Sequence, residues 1–234
     1  VILKHSPQTP VIAELAEEAW RAAGGPAGAF QMLHLTHADA ERAIAAGQFD
    51  AVNFIGSVAG GKRVHAAAGG TMTTVHLELG GKDPAYIRAD ADIDRLVADI
   101  AEGCFSNAGQ SCCSVERIYV DRRVQARFTE ALLAEAQKWT IGHPVQDKAM
   151  IGPVVHAAAA ERIRGQIAQA VAAGGRALIG ASCDLGAAYV PAEVLVDLDH
   201  GMSIMRDELF GPVAAIQAVS GDDEAITLMN DSQY

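Results

Sequence analysis

The chain has 234 residues, of which 50% are hydrophobic, and carries a formal net charge of −11. This is enough apolar material for one or two packed domains, and an acidic chain with scattered Lys and Arg argues against a nucleic-acid surface. No apolar run reaches the span of a membrane helix. The 4 cysteines, two of them adjacent at Cys112 and Cys113 with no CxxC pair, suit neither a disulfide framework nor a zinc site; the expected setting is a reducing cytoplasm, away from membranes.

In chain order, residues 1–4 predict a short buried strand. Thr9 and Pro10 predict an N-cap followed by proline in the first turn. A helix is expected at 11–23, ended by Gly24 and Gly25. A strand at 30–35, a helix at 38–46 and a strand at 51–55 follow. Gly56-Ser-Val-Ala-Gly-Gly61 then leaves that strand and opens a helix through Ala68, and 73–79 reads as a strand. Strands alternating with helices predict parallel βαβ units.

The second half continues the alternation. It predicts a strand at 86–88, a helix at 92–103 with acidic residues in its first turn, a strand at 118–121, and amphipathic helices at 124–139 and 155–173. Residues 177–180, 194–197 and 213–219 are strand-like, and 222–230 predicts the last helix. The expected fold is α/β, with a boundary between 1–79 and 80–234.

Two glycine-punctuated turns carry reactive groups. One is Leu77-Glu-Leu-Gly-Gly-Lys-Asp-Pro84; the other is Phe105-Ser-Asn-Ala-Gly-Gln-Ser-Cys-Cys-Ser114. A cysteine thiolate attacks a carbonyl, and a carboxylate activates the water that releases the product. Buried cysteines are usually structural, but Cys112 and Cys113 follow Gly109, Gln110 and Ser111 and so lie on a polar turn. The residues themselves leave open which of the two reacts. Cys104, on a helix face, and Cys183, in a loop, read as structural. Glu78 ends a strand flanked by Val75, Leu77 and Leu79, and parallel α/β sheets bind ligands beyond the carboxyl ends of their strands. The 8 histidines form no metal-like pair.

These motifs resemble the active-site signatures of the aldehyde dehydrogenase superfamily, in which LELGGK carries the general base and GQSC the nucleophile. The resemblance extends to Val1-Ile-Leu-Lys4, Phe54-Ile-Gly-Ser57 and Glu208-Leu-Phe-Gly-Pro-Val213, five motifs in the family's order. It implies a Rossmann-type dinucleotide-binding part at 1–79 and most of an α/β catalytic domain at 80–234, the fold being incomplete at both ends because members are considerably longer. Cys112 is then the nucleophile rather than Cys113, and Glu78 the base. Lys4, Phe54, Gly56, Ser57, Leu79, Glu208 and Phe210 are the implied cofactor contacts: Lys4 for the adenine ribose, Gly56 and Ser57 for phosphate, Glu208 for the nicotinamide ribose, and Phe210 beside the nicotinamide ring. Ile55 departs from the family pattern, where threonine is usual. Pro7 stands where NAD-preferring relatives often hold an acid, which leaves both NAD and NADP open.

The implied activity is oxidation of a small-molecule aldehyde to a carboxylic acid through a cysteine thiohemiacetal and thioester, by a protein that is homo-oligomeric when full-length. An oxyanion donor is implied on a segment preceding Val1. Two other readings stand beside this one. An acyl-transferring relative would pass the thioester to coenzyme A, although such members typically lack the glutamate. A non-catalytic interaction module is the second.

Overall fold

Helices and strands largely alternate along the chain, broken where β-strands or helices follow one another directly, and the local reasons are visible at their starts. The computed structural model describes all 234 residues, in two units, Val1–Leu79 and Gly80–Tyr234. The first unit holds β1 (Ile2–Leu3), α1 (Pro10–Ala22), β2 (Gln31–Met32), α2 (His37–Ala45), β3 (Ala51–Gly56), α3 (Val58–Ala68) and β4 (Thr74–Leu79). Thr36 caps α2 by accepting from the Asp39 amide, and Ser57 caps α3 by accepting from the Gly60 amide. Thr9 holds the cap position of α1 but its side chain caps nothing. Its backbone closes a turn onto the Ser6 carbonyl at ψ 52°, outside the extended range from which a cap side chain reaches the first amides. Pro10 starts this helix instead.

In this unit β1 pairs with β2 and β3 with β4, both parallel. The expected strand at 30–35 shrinks to Gln31–Met32. Alternation in β3 and β4 turns Val52, Phe54, Val75 and Leu77 onto Ile44, Val64 and Ala68, which form the small core. Gly61 lets α3 approach β4: a Cβ there would sit 2.5 Å from Leu79 Cδ2.

The second unit holds β5 (Asp83–Ile87), α4 (Ile93–Phe105), a 3₁₀ turn at Ser106–Gly109, β6 (Val115–Asp121), α5 (Gln125–Ala136), α6 (Ala157–Ala172), β7 (Arg176–Ala177), β8 (Glu193–Val196), a short α7 (Ser203–Arg206), β9 (Val213–Val219) and α8 (Asp222–Asn230). Its sheet runs in the order β5-β6-β9-β8-β7. All neighbours are parallel except β7 and β8. β5 starts earlier than the apolar residues suggest and contains Pro84, which donates no ladder hydrogen bond. The strand tolerates it because β5 is an edge strand and the register shifts between Asp83 and Pro84.

A second departure has a specific cause. The strand expected at 177–180 pairs through Arg176 and Ala177, and its last backbone bond is from the Leu178 amide to the Val194 carbonyl at 3.0 Å. Beyond it, the buried Glu193 carboxylate accepts from the Ile179 and Gly180 amides at 2.9 and 2.8 Å. A side chain thus replaces the ladder. β6, β8 and β9 are buried almost throughout, as strands covered on both faces are, and Ile118, Phe128, Leu132, Leu195 and Ile216 are fully enclosed in one core. Ile118 of β6 pairs in register with Ile216 of β9. Ile118→Ala is expected to lower unfolding free energy by about 2–5 kcal/mol, read as a shift in the urea midpoint.

Candidate active site

The turns named by the sequence fall at strand ends. In the first unit, β3 and β4 are in register Ile55↔Glu78 and Gly56↔Leu79, so the Gly56-Ser57 turn and Glu78-Leu79 lie side by side at the carboxyl ends of parallel strands, where α/β sheets bind ligands. Glu78 is exposed and shares its sheet face with Ile55, which is 83% exposed.

Ser57 Oγ accepts from the Gly60 amide at 3.1 Å and the Ser57 carbonyl accepts from the Gly61 amide at 2.9 Å. The amides of Val58 and Ala59, the first of the helix, have no helical acceptor and suit an anionic oxygen. Phe54 does not face outward. Its ring packs in the unit's core beneath the turn, where a Cβ on Gly56 or Gly60 would come within 2.7 or 2.8 Å of its Cζ. The phenyl group therefore supports the turn from below. Leu79, likewise, packs on Gly61.

A hollow of about 350 Å³ opens beyond the carboxyl ends of β1 and β2, lined by His5, Ser6, Pro7, Pro10, His34, Leu35 and Thr36. No carboxylate lines it, and Pro7 is part of its wall. Glu14, nearby, is engaged by His34 at 2.9 Å. The Lys4 ammonium donates to the His5 carbonyl at 3.0 Å beside this hollow. The helix-start amides at Val58 and Ala59 are donors that suit the phosphates of a dinucleotide.

The second unit brings three expected segments together. Gly80-Gly81-Lys82 precedes β5, the cysteine turn precedes β6, and Glu208–Gly211 precedes β9. These strands are parallel and adjacent, in the order β5-β6-β9, so the three turns share one edge of the sheet, at its amino end. Their contacts are close. A Cβ on Gly81 would lie 2.5 Å from the Cys112 carbonyl oxygen, and one on Gly80 would collide with the Glu208 carboxylate. Glu208 Oε1 accepts from the Gly81 amide at 3.2 Å. Burial pushes the Glu208 carboxyl above its ordinary value, and the Gly81 hydrogen bond opposes this.

The cysteine turn is built from strained backbone. Asn107, Ala108 and Gly109 all have positive φ, at 54°, 57° and 69°. For the first two this left-handed conformation costs about 1–2 kcal/mol each. Asn107 and Gln110 hold it by exchanging side-chain amide to backbone carbonyl bonds, each 3.0 Å, and Gln110 Oε1 also accepts from the Val155 amide at 2.8 Å. The Ser114 amide closes the following turn onto the Ser111 carbonyl at 3.2 Å, with Cys112 and Cys113 between them. Both thiols are exposed, but only Cys113 is occupied: its sulfur lies 3.2 Å from Ser111 Oγ. Cys112 has its thiol unengaged. Cys104 is fully buried in α4, where burial pushes its thiol up. Cys183 is half-buried in a loop.

Sequence reading passed over one group. Glu116, Arg117 and Lys82 are all buried, and the Lys82 ammonium meets Glu116 Oε2 at 2.8 Å. The available signal was the charged pair Glu116-Arg117 inside the otherwise apolar strand Val115–Asp121, since such charges are rarely buried unless partnered.

The arrangement defines an α/β protein whose candidate sites are glycine-rich turns gathered at the ends of parallel strands. The family comparison is more specific: the model of the Aldehyde dehydrogenase family matches residues 1–234, and the chain belongs to this family. It is 32% identical over 234 residues to the NAD(P)+ succinate semialdehyde dehydrogenase Sad of Escherichia coli (strain K12), covering 100% of this chain and 51% of that protein. Among solved structures it is similar to lactaldehyde dehydrogenase from Escherichia coli, with TM-score 0.94 and 33% identity over 99% of this chain and 49% of that one. It is also similar to betaine aldehyde dehydrogenase from Staphylococcus aureus in complex with NAD+, with TM-score 0.92 and 28% identity over 100% of this chain and 47% of that one. The chain thus spans about half the length of the relatives it matches.

Gly109 tests the geometry of the cysteine turn. Its φ is +69°, and a Cβ would collide with the Gly211 carbonyl. Gly109→Ala is expected to destabilise the protein by about 2 kcal/mol or more and to slow alkylation of Cys112 by iodoacetamide relative to Cys113, read by mass spectrometry of the tryptic peptide.

Proposed function

We propose that the intact protein is an NAD(P)-dependent aldehyde dehydrogenase that oxidises a small aldehyde to its carboxylic acid, with Cys112 as nucleophile and Glu78 as general base. The observation that carries this reading is the unengaged Cys112 thiol, on a turn that packs against the Gly80-Gly81 and Glu208–Gly211 turns. In this reading, residues 1–79 supply dinucleotide contacts and residues 80–234 the nucleophile.

Cys112 sulfur, as thiolate, adds to the aldehyde carbon, and the carbonyl oxygen takes the negative charge of a thiohemiacetal. In this reading the Cys112 amide would stabilise that oxyanion by hydrogen bonding. A nicotinamide held by these residues would supply the oxidising equivalent, as acceptor of the hydride from the former aldehyde carbon. A thioester on Cys112 remains. Glu78 takes a proton from water, the hydroxyl oxygen adds to the thioester carbon, and the C–S bond breaks to release the acid and the Cys112 thiolate.

Lys4 is assigned to the adenine ribose, the Gly56-Ser57 turn to the phosphates and Leu79 to the cofactor without a portion specified, with Phe54 as support for the turn. Glu208 and Phe210 are assigned to the nicotinamide ribose and ring. The absence of acid at Pro7 leaves room for a 2′-phosphate, so both NAD and NADP are proposed. A cytoplasmic homo-oligomer is carried over from the family resemblance, with four free cysteines in keeping with a reducing compartment. Glu78 favours hydrolysis over transfer of the thioester to coenzyme A, and the retained Cys112 favours an enzyme over an interaction module.

The test is turnover of a panel of small aldehydes by the intact protein with either cofactor, with and without coenzyme A. Cys112→Ala is expected to abolish oxidation while Cys113→Ala keeps most of it; the reverse result would move the nucleophile by one residue. Glu78→Gln is expected to keep a first-turnover burst of reduced cofactor while steady turnover falls by roughly 10²–10⁴-fold, because the base acts only on the deacylating water. Loss of the burst as well would assign Glu78 an earlier role, such as activating the thiol.

A further inference from the structure

Glu116 is the one carboxylate in the sheet core that meets both a buried cation and a pair of loop amides. Its Oε2 accepts from the Lys82 ammonium at 2.8 Å and from the Leu209 amide at 2.7 Å; its Oε1 accepts from the Phe210 amide at 2.7 Å. Lys82 and Glu116 side chains are 0% and 2% exposed. Arg117, next in β6, donates to the Lys82 carbonyl at 2.7 Å and to the Leu228 and Met229 carbonyls at 3.2 and 3.0 Å.

Two facts make this more than a core ion pair. First, a buried pair is an unfavourable way to hold a fold, since desolvation cancels much of the attraction and apolar replacements often match it. Burial accordingly pushes the Lys82 ammonium down, against the pull of the Glu116 charge. Second, Glu116 grips the backbone where it is strained. Phe210 has φ +54°, a left-handed conformation that non-glycine residues avoid and that persists only where surrounding bonds enforce it. That backbone directs both Glu208, whose carboxylate rests on Gly80 and Gly81, and the Phe210 ring.

We propose that Glu116, anchored by Lys82, is a positioning residue for cofactor binding: it clamps the Leu209 and Phe210 amides so that Glu208 and Phe210 face the nicotinamide end of the dinucleotide. The proposal rests on the assignment of Glu208 and Phe210 to that end. Glu116 itself touches neither cofactor nor substrate. An isosteric amide cannot replace it, because a glutamine has one oxygen for two ends that both require an acceptor.

The experiment measures dissociation constants in the intact protein, at a temperature well below the thermal midpoint of every variant, for NADH, NADPH and ADP. ADP carries the adenosine half alone and reports the first unit. Glu208→Gln serves as the reference for the loop. Glu116→Gln is expected to weaken the dinucleotides by about tenfold or more, the equivalent of one lost strong hydrogen bond, and to leave ADP unchanged. If the single variant does not fold, the charge-balanced pair Lys82→Met with Glu116→Gln removes both buried charges together and is expected to show the same selective loss. A purely structural role would lower the melt and leave all three constants alone, which overturns the proposal. Equal weakening of ADP and dinucleotides also overturns it. If Glu208→Gln weakens dinucleotide binding while both Glu116 variants do not, the proposal falls and the loop assignment stands. If Glu208→Gln changes nothing, the loop assignment fails and takes the proposal with it.

Discussion

The parallel pairing of β5, β6 and β9 is the constraint on which the second unit's site depends. Each strand is preceded by a glycine-containing turn, and parallel neighbours in register bring the starts of all three to one edge. Residues 80–82, 107–113 and 208–211 are distant in sequence but meet there through backbone contacts. Glu116 lies at the start of the middle strand and joins its two neighbours, taking the Lys82 ammonium from one side and the Leu209 and Phe210 amides from the other. Without this pairing the same turns would be three unrelated loops.

The cysteine turn shows what such an edge makes possible. Three consecutive left-handed residues do not persist in an isolated peptide, since two of them carry a steric penalty that local bonds hardly offset. Here the Asn107–Gln110 exchange, the Gln110 bond to Val155 and the fit of Gly109 against Gly211 hold the turn from several directions. The outcome is an exposed thiol at Cys112 on a backbone with little freedom, while the neighbouring Cys113 sulfur rests on Ser111. If Cys112 is the nucleophile proposed above, fixing it this way would lower the entropy cost of attack on a bound carbonyl.

Legibility in the sequence followed the range of the interactions. The helices that begin at Thr36, Ser57 and Asp92 were readable from their own segments, although these three caps were not singled out and the one that was, Thr9, caps nothing. β3 and β4 were readable because alternation at Val52, Phe54, Val75 and Leu77 is local. Other failures came where a distant side chain or the burial of a strand face intervened. Residues 177–180 have strand composition, yet Glu193 takes the amides of Ile179 and Gly180 and ends the ladder. Phe54 belongs to a motif associated with cofactor contact, but the pleat turns its ring into the core, so it acts through the glycines above it.

By itself the sequence determined the alternating α/β order, the placement of Glu78 at a strand end and of Cys112 on a polar turn, and, through its ordered motifs, the family. These are properties of short segments, where periodicity, caps and glycines act over a few residues. The tertiary structure alone decided that β9 lies beside β6, that Cys113 rather than Cys112 is engaged by Ser111, and that Lys82 and Glu116 are paired in the core. Those facts depend on which strands become neighbours, and strand order is set by burial of whole faces against helices, a sum over the entire unit that no local segment encodes.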